Sequence, residues 1–230
     1  MTSKKNICEL FPGDVVNTGI KINNMESIFP LIYCGLSKNN DTALLLSRDL
    51  LPPMRMNDYP SSQYDGCELD VFLGDNFRDI ISNNLNECLV TTEIELNSDR
   101  CIKRDVFLPS LKEVNEDIEH SFLCALIRYR DTHTYSFARA ACGLLDNNPH
   151  SYWLRTPYSA SNFYCVSSIG NHNSNNAANS GSWLRPCFSV SLDAEVTLMV
   201  DFNHHYYELV GVETKRRTIQ EDLFMRLMTL

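Results

Sequence analysis

Tyr152-Trp153-Leu154-Arg155-Thr156-Pro157, followed by Trp183-Leu184-Arg185-Pro186, decides how this chain of 230 residues is read. These are its only two tryptophans, and each opens a Trp-Leu-Arg triplet with a proline close behind. A tryptophan is a large apolar filler whose indole N–H needs an acceptor when buried. A guanidinium can tie several loop carbonyls together through its planar fork of donors. Trp153, Arg155, Trp183 and Arg185 are therefore read as structural clamps of a loop region. Pro157 and Pro186 fix the backbone where the chain enters and leaves it. Between the anchors, 164–169 reads as a strand. The stretch 170–182 reads as a polar tract holding His172 and five asparagines.

Working outward, 11–49 is a series of short apolar runs broken by turn residues, as in Phe29–Cys34 and Ala43–Leu46, which fits strands better than helices. A hairpin loop is expected at 39–41. The composition of 51–65, with Pro52, Pro53 and Pro60, is that of a loop. Leu69, Phe72, Leu73, Phe77, Ile80 and Ile81 then recur at helical spacing, a stripe read as core packing. A strand is expected over 90–96. Ser110 with Glu113 makes a capping box that opens a helix through Leu111, Val114 and Ile118. A second helix is expected over 121–130, and a loop passing into more helix over 132–141. Phe188, Val190 and Leu192 alternate with Ser189 and Ser191, the pattern of a half-buried strand. Strands over 196–202 and 206–212 flank a turn at Asn203. Thr218 and Glu221 form another box before Ile219, Leu223, Phe224 and Leu227. The expectation is an α+β protein with an arm over 1–10, a main domain over 11–212 and a helical extension over 213–230.

Composition narrows the function. A net charge of −9 opposes nucleic acid, and the one dense basic cluster, Lys215–Arg217, reads as a solvated turn or helix start. No apolar run approaches the ~20 residues of a membrane span, so no membrane insertion is expected. No apolar segment follows Lys4 and Lys5, so no secretory signal is expected either. Nine cysteines occur without a single C-x-x-C pair, which fits reduced thiols acting as small hydrophobes better than disulfides or zinc. His204 and His205 are adjacent, so on a strand only one of them could reach a given ion. Glycine-rich phosphate loops are lacking. The pairs His120/Cys124 and Cys142/His150 are read as incidental. The chain is thus expected to be no enzyme, with no catalytic residues, no metal and no cofactor.

In combination and order, Phe107-Leu108-Pro109-Ser110-Leu111-Lys112-Glu113, Tyr152–Pro157 and Leu184-Arg185-Pro186 resemble an uncharacterised domain family of bacteria and their phages. Ala43–Asp49 and Tyr64–Phe77 fit the same family, with Cys67 in place of its usual serine and Phe72 in place of its tryptophan. The likeness extends from about Phe11 to Leu192. It departs at Pro109, at Trp183-Leu184, and beyond Leu192, where the family supplies no role. That family in turn resembles the C-type-lectin-like fold of formylglycine-generating enzymes and of retroelement-diversified variable proteins. The resemblance implies two main helices and a twisted, mostly antiparallel sheet whose long loops form a binding face. The close cysteine pair of the copper oxidases on this fold has no counterpart here, nor do the sugar-binding triplets of calcium lectins.

A surface of tyrosine, serine and asparagine has the composition of adaptable binding loops. Tyr158, Asn162, Tyr164, Asn171, His172, Asn173 and Asn175 are accordingly the candidate ligand-binding residues, although such a tract also serves as a plain polar connection. The expected function is recognition of a host-surface glycan or protein by a virion component assembled in the bacterial cytoplasm, such as a tail-fibre, receptor-binding or decoration protein. The alternative is a purely structural subunit, in a particle or in the cytoplasm. Thr218–Leu230 would then contact other virion proteins or a second copy of the chain.

Overall fold

Short runs of β-branched and aromatic residues become strands here, and the helical pieces between them are brief. The computed structural model describes residues 4–22, 25–97, 99–115, 122–132, 134–201 and 204–212. Its strands are β1 (Lys4–Asn6), β2 (Val15–Ile22), β3 (Met25–Leu36), β4 (Ala43–Ser47), β5 (Thr92–Asn97), β6 (Arg100–Arg104), β7 (Val106–Phe107), β8 (Tyr152–Pro157), β9 (Asn162–Val166), β10 (His172–Asn176), β11 (Cys187–Val190), β12 (Ala194–Asp201) and β13 (His204–Val212). Its α-helices are α1 (Glu68–Val71), α2 (Asn83–Cys88), α3 (Leu111–Asn115), α4 (Phe122–Arg130) and α5 (Tyr135–Arg139). The chain is a mixed α+β protein dominated by sheet.

Eight strands form one sheet in the order β1-β12-β13-β2-β3-β4-β11-β7. Every neighbour pair is antiparallel except β13–β2, where Tyr207 lies opposite Val16. The hairpin β12–β13 therefore sits between the first two strands of the chain, and Lys4–Asn6 of the arm adds the edge beyond it. Two smaller sheets, β10-β9-β8 and β5-β6, complete the strand set. The helix expected from Thr218 and the turn at Asn203 lie outside the described residues.

Among the described residues the helical segments are short, α4 with nine residues being the longest. The stripe from Leu69 to Ile81 starts as α1, widens into a π segment at Phe72–Asn76 and tightens into a 3-10 turn at Phe77–Asp79. An α-helix turns once every 3.6 residues, so side chains four apart drift around it. The wider turn keeps Leu69, Leu73 and Phe77 on the buried side. Cys67 caps this helix, its sulfur accepting the Asp70 N–H at 3.3 Å. The Ser110 box closes in both directions: Ser110 N–H donates to Glu113 Oε2 at 2.7 Å, and Glu113 N–H donates to Ser110 Oγ at 3.2 Å.

One strand differs from its pattern. Ser189 reads as outward-facing, yet all four residues of β11 are buried. The strand lies inside the sheet between β4 and β7, with Phe188 against Phe29 and Phe77 at centroid distances of 5.9 Å. The opposite pleat is covered as well, and the charges of Glu113, Arg155 and Arg185 reach the Cys187 thiol there.

None of the nine cysteines is in a disulfide; Cys34, Cys67, Cys88, Cys165 and Cys187 are buried, and Cys8 and Cys101 are exposed. Burial pushes the Cys67 and Cys88 thiols up to about 12 and that of Cys165 to about 11. Because the thiolate is the reactive form, a disulfide reagent at pH 8 should label Cys8 and Cys101 first. The five buried thiols should react only on unfolding, as a mass-resolved time course would record.

Candidate functional site

The two tryptophan segments lie side by side. Tyr152 and Trp183 form a parallel bridge, Trp153 N–H donates to the Trp183 carbonyl at 3.1 Å, and Trp183 N–H donates to that of Ser151 at 2.8 Å. Trp153 is fully buried, its indole N–H held by the Met54 carbonyl at 2.7 Å. Trp183 is only half-buried. Its ring stacks on His150 at 4.0 Å, and His150 Nε2 lies 2.8 Å from Asp146 Oδ2.

Each arginine joins distant segments. Arg155 donates through Nη1 and Nη2 to both oxygens of Glu113 at 2.7 and 2.6 Å, and further to the carbonyls of Leu108 (2.6 Å) and Glu95 (3.1 Å). Burial works against its charge, and the Glu113 carboxylate more than offsets that, so its pKa is raised. Arg185 donates to the carbonyls of Ser47 and Arg139 at 3.1 and 3.0 Å and to the Tyr152 hydroxyl at 3.1 Å.

The polar tract is not an open loop: its first half is β10, the outer strand of the three-stranded sheet. Its asparagines act on their own backbone. Asn173 Oδ1 accepts the Ser174 N–H at 2.8 Å, Asn175 Oδ1 accepts that of Asn176 at 2.9 Å, and Asn176 Oδ1 accepts that of Ala178 at 3.0 Å. Asn179 does the same for Gly181 at 2.8 Å. An edge strand presents backbone groups with no neighbour, and Asn173 and Asn175 satisfy two of them, the N–H groups of Ser174 and Asn176.

Register then divides the candidate residues, since directly opposed residues of an antiparallel pair share a face. Asn162, opposite Asn176, and Tyr164, opposite Ser174, point to one side. Tyr158, 56% exposed, joins them from the β8–β9 turn, its ring edge-on to Tyr164 at 5.1 Å. Asn173 and Asn175 belong to the other pleat, opposite Cys165 and Phe163, and Asn171 is an exposed turn residue. His172 shares the tyrosine side but is half-buried. Its Nε2 lies 2.9 Å from Asn115 Oδ1, and burial, then the Arg139 charge, holds its pKa below the usual imidazole value. Ser174 and Asn176 are members of the tyrosine face that the composition of the tract did not single out. Recognising β10 as a strand with period two would have found both.

Elsewhere, a cleft of about 690 Å³ between β2, β3 and the start of α2 is lined by Lys21, Glu26, Asp79, Asn83 and Glu208 among others. An apolar cleft of about 320 Å³ beside it, lined by Pro53, Phe72, Phe77 and Leu184 among others, shares Lys21 and Ile80 with it. None of the candidate contact residues lines either cleft. No group of three His, Cys, Asp or Glu side chains able to hold a metal occurs among the described residues. No described helix is long and apolar enough to cross a membrane.

With this geometry in view, residues 40–192 match the model of DUF6273, a domain of unknown function, and the chain belongs to that family. The match contains both tryptophan anchors, the capping box and the whole three-stranded sheet. No curated protein and no solved structure matches the chain.

The Arg155–Glu113 pair gives the sharpest test of this architecture. Arg155 is 1% exposed, and removing the partner of a buried charge is strongly destabilising. Glu113→Ala should cost about 3 kcal/mol in urea unfolding, the lower end of the range for such pairs because the carboxylate is partly exposed. Glu95→Gln, which breaks only the exposed ion pair with Lys38, should leave the midpoint where it was.

Proposed function

We propose that this domain is a non-enzymatic recognition protein of C-type-lectin-like fold, carried on a phage particle and presenting the Tyr158–Tyr164 face to a glycan or protein on the host surface. The observation that carries the reading is the pair of tyrosines, edge-on at 5.1 Å, Tyr158 exposed and Tyr164 half-buried on the pleat opposite the one that holds buried Trp153. Such rings offer broad contact area with few torsions to freeze, and Asn162, Ser174 and Asn176 beside them supply hydrogen-bonding groups. The lectin-like assignment rests on the order of the motifs and on the mixed, largely antiparallel sheet. The buried, high-pKa thiols favour binding over nucleophilic chemistry.

A structural role in a particle is the second reading, and the self-directed hydrogen bonds of the asparagines favour it. The two separate cleanly. If recognition is correct, Tyr158→Ala with Tyr164→Ala should abolish attachment to glycan arrays and host cells, with the melting temperature within a degree or two of the parent. Undiminished attachment would remove the tyrosine face from consideration. If the role is structural, those substitutions are silent and deletion of Thr218–Leu230 blocks incorporation into the particle.

A further inference from the structure

We propose that the two adjoining clefts together form a docking groove for residues 215–227 of this same chain, the basic cluster lying over the polar cleft and the apolar residues in the apolar one. The described chain ends beside that groove. β13 lines the polar cleft with Tyr206, Glu208 and Leu209 and is described only three residues further, to Val212. At about 3.3 Å per residue, Val212 lies within about 10 Å of the cleft wall. Residues 213–218, when extended, can span about 20 Å, enough to turn back over it. The segment itself lies outside the described residues, and its sequence supplies the other half of the match.

Groove and segment are complementary in the order of the sequence. Glu26, Asp79 and Glu208 line the polar cleft, and all three are exposed. Among the described residues none of them forms an ion pair. Lys215, Arg216 and Arg217 come first in the segment. Lys21 stands where the two clefts meet, and Glu221 and Asp222 come next. The apolar cleft is walled by Phe72 and Phe77, edge-on at 6.0 Å, together with Pro53, Met54 and Leu184. Leu223, Phe224 and Leu227 complete the order, and Ile219, Leu223 and Leu227 recur every four residues, as on one face of a helix. Exposed ion pairs contribute little by themselves. Burial of the apolar residues supplies the attraction, and the charges fix direction and register. The groove shares no residue with the tyrosine face, so its occupancy is independent of what that face binds.

The test uses the full chain and two readouts. Zero-length carbodiimide coupling should join the Lys215 amine to Glu26, Asp79 or Glu208, and a mixture of isotope-labelled and unlabelled chains should show the link within single molecules. Amide hydrogen exchange over 219–227 should be about tenfold or more slower in the parent than in Leu223→Asp with Phe224→Asp. Asp79→Lys with Glu208→Lys, both at exposed positions, should release that protection, and adding Lys215→Glu, Arg216→Glu and Arg217→Glu should restore it. Equal exchange in the parent and the Leu223/Phe224 variant would overturn the docking. Links between labelled and unlabelled chains would assign the groove to a second copy and overturn it as well. Protection that survives the cleft substitutions would mean that another surface covers the segment, with the same consequence.

Discussion

Glu113 accepts three hydrogen bonds from two directions, and the central architecture depends on that carboxylate. Oε2 takes the Ser110 N–H that begins α3 and also Arg155 Nη1, while Oε1 takes Arg155 Nη2. One side chain thus starts a helix and neutralises a guanidinium held in the interior. The neighbours reinforce the joint. Arg155 N–H donates to the Pro109 carbonyl at 2.9 Å, Leu111 N–H donates to Thr156 Oγ1 at 2.8 Å, and Leu108 N–H donates to the Tyr64 hydroxyl at 3.1 Å. Three sequence segments far apart along the chain therefore act as one unit. A buried bidentate pair is weak as net stabilisation but unforgiving of a missing partner, which makes it a device of specificity.

Local features were legible in the sequence because local chemistry produces them. The Ser110 box, the strands of 15–47 and the apolar stripe of 69–81 each follow from residues within one turn or one strand of each other. Pairing was not legible, because nothing in Val196 or Leu209 specifies that their hairpin inserts beside β2 rather than at the end of the sheet. The polarity of Ser189 misled for a related reason: its exposure is set by what lies over the sheet, and alternation reports only which residues share a side.

β10 hid for a different reason. Asparagine is depleted in strands, so Asn173, Asn175 and Asn176 read as loop. Their side chains make the strand tenable at an edge by supplying the acceptors that a neighbouring strand would have provided. Trp183 was equally opaque: one tryptophan is filler, while the other is a half-exposed plate under His150, and the identical Trp-Leu-Arg triplets do not distinguish them.

These asparagine contacts bear on what the tyrosine face can do. A loop whose amides must be ordered on binding loses conformational entropy at that moment, and the loss subtracts from affinity. Here the amides of Asn173, Asn175 and Asn179 are already fixed within the fold, and the strand carrying the first two cannot readily pair with a passing edge. Tyr158 and Tyr164 are fixed as well, each ring bracing the other. On the recognition reading proposed above, a surface so ordered in advance would bind through shape and aromatic contact, and would favour a rigid ligand whose flat apolar side matches the rings over a flexible one that would need the tract to rearrange around it.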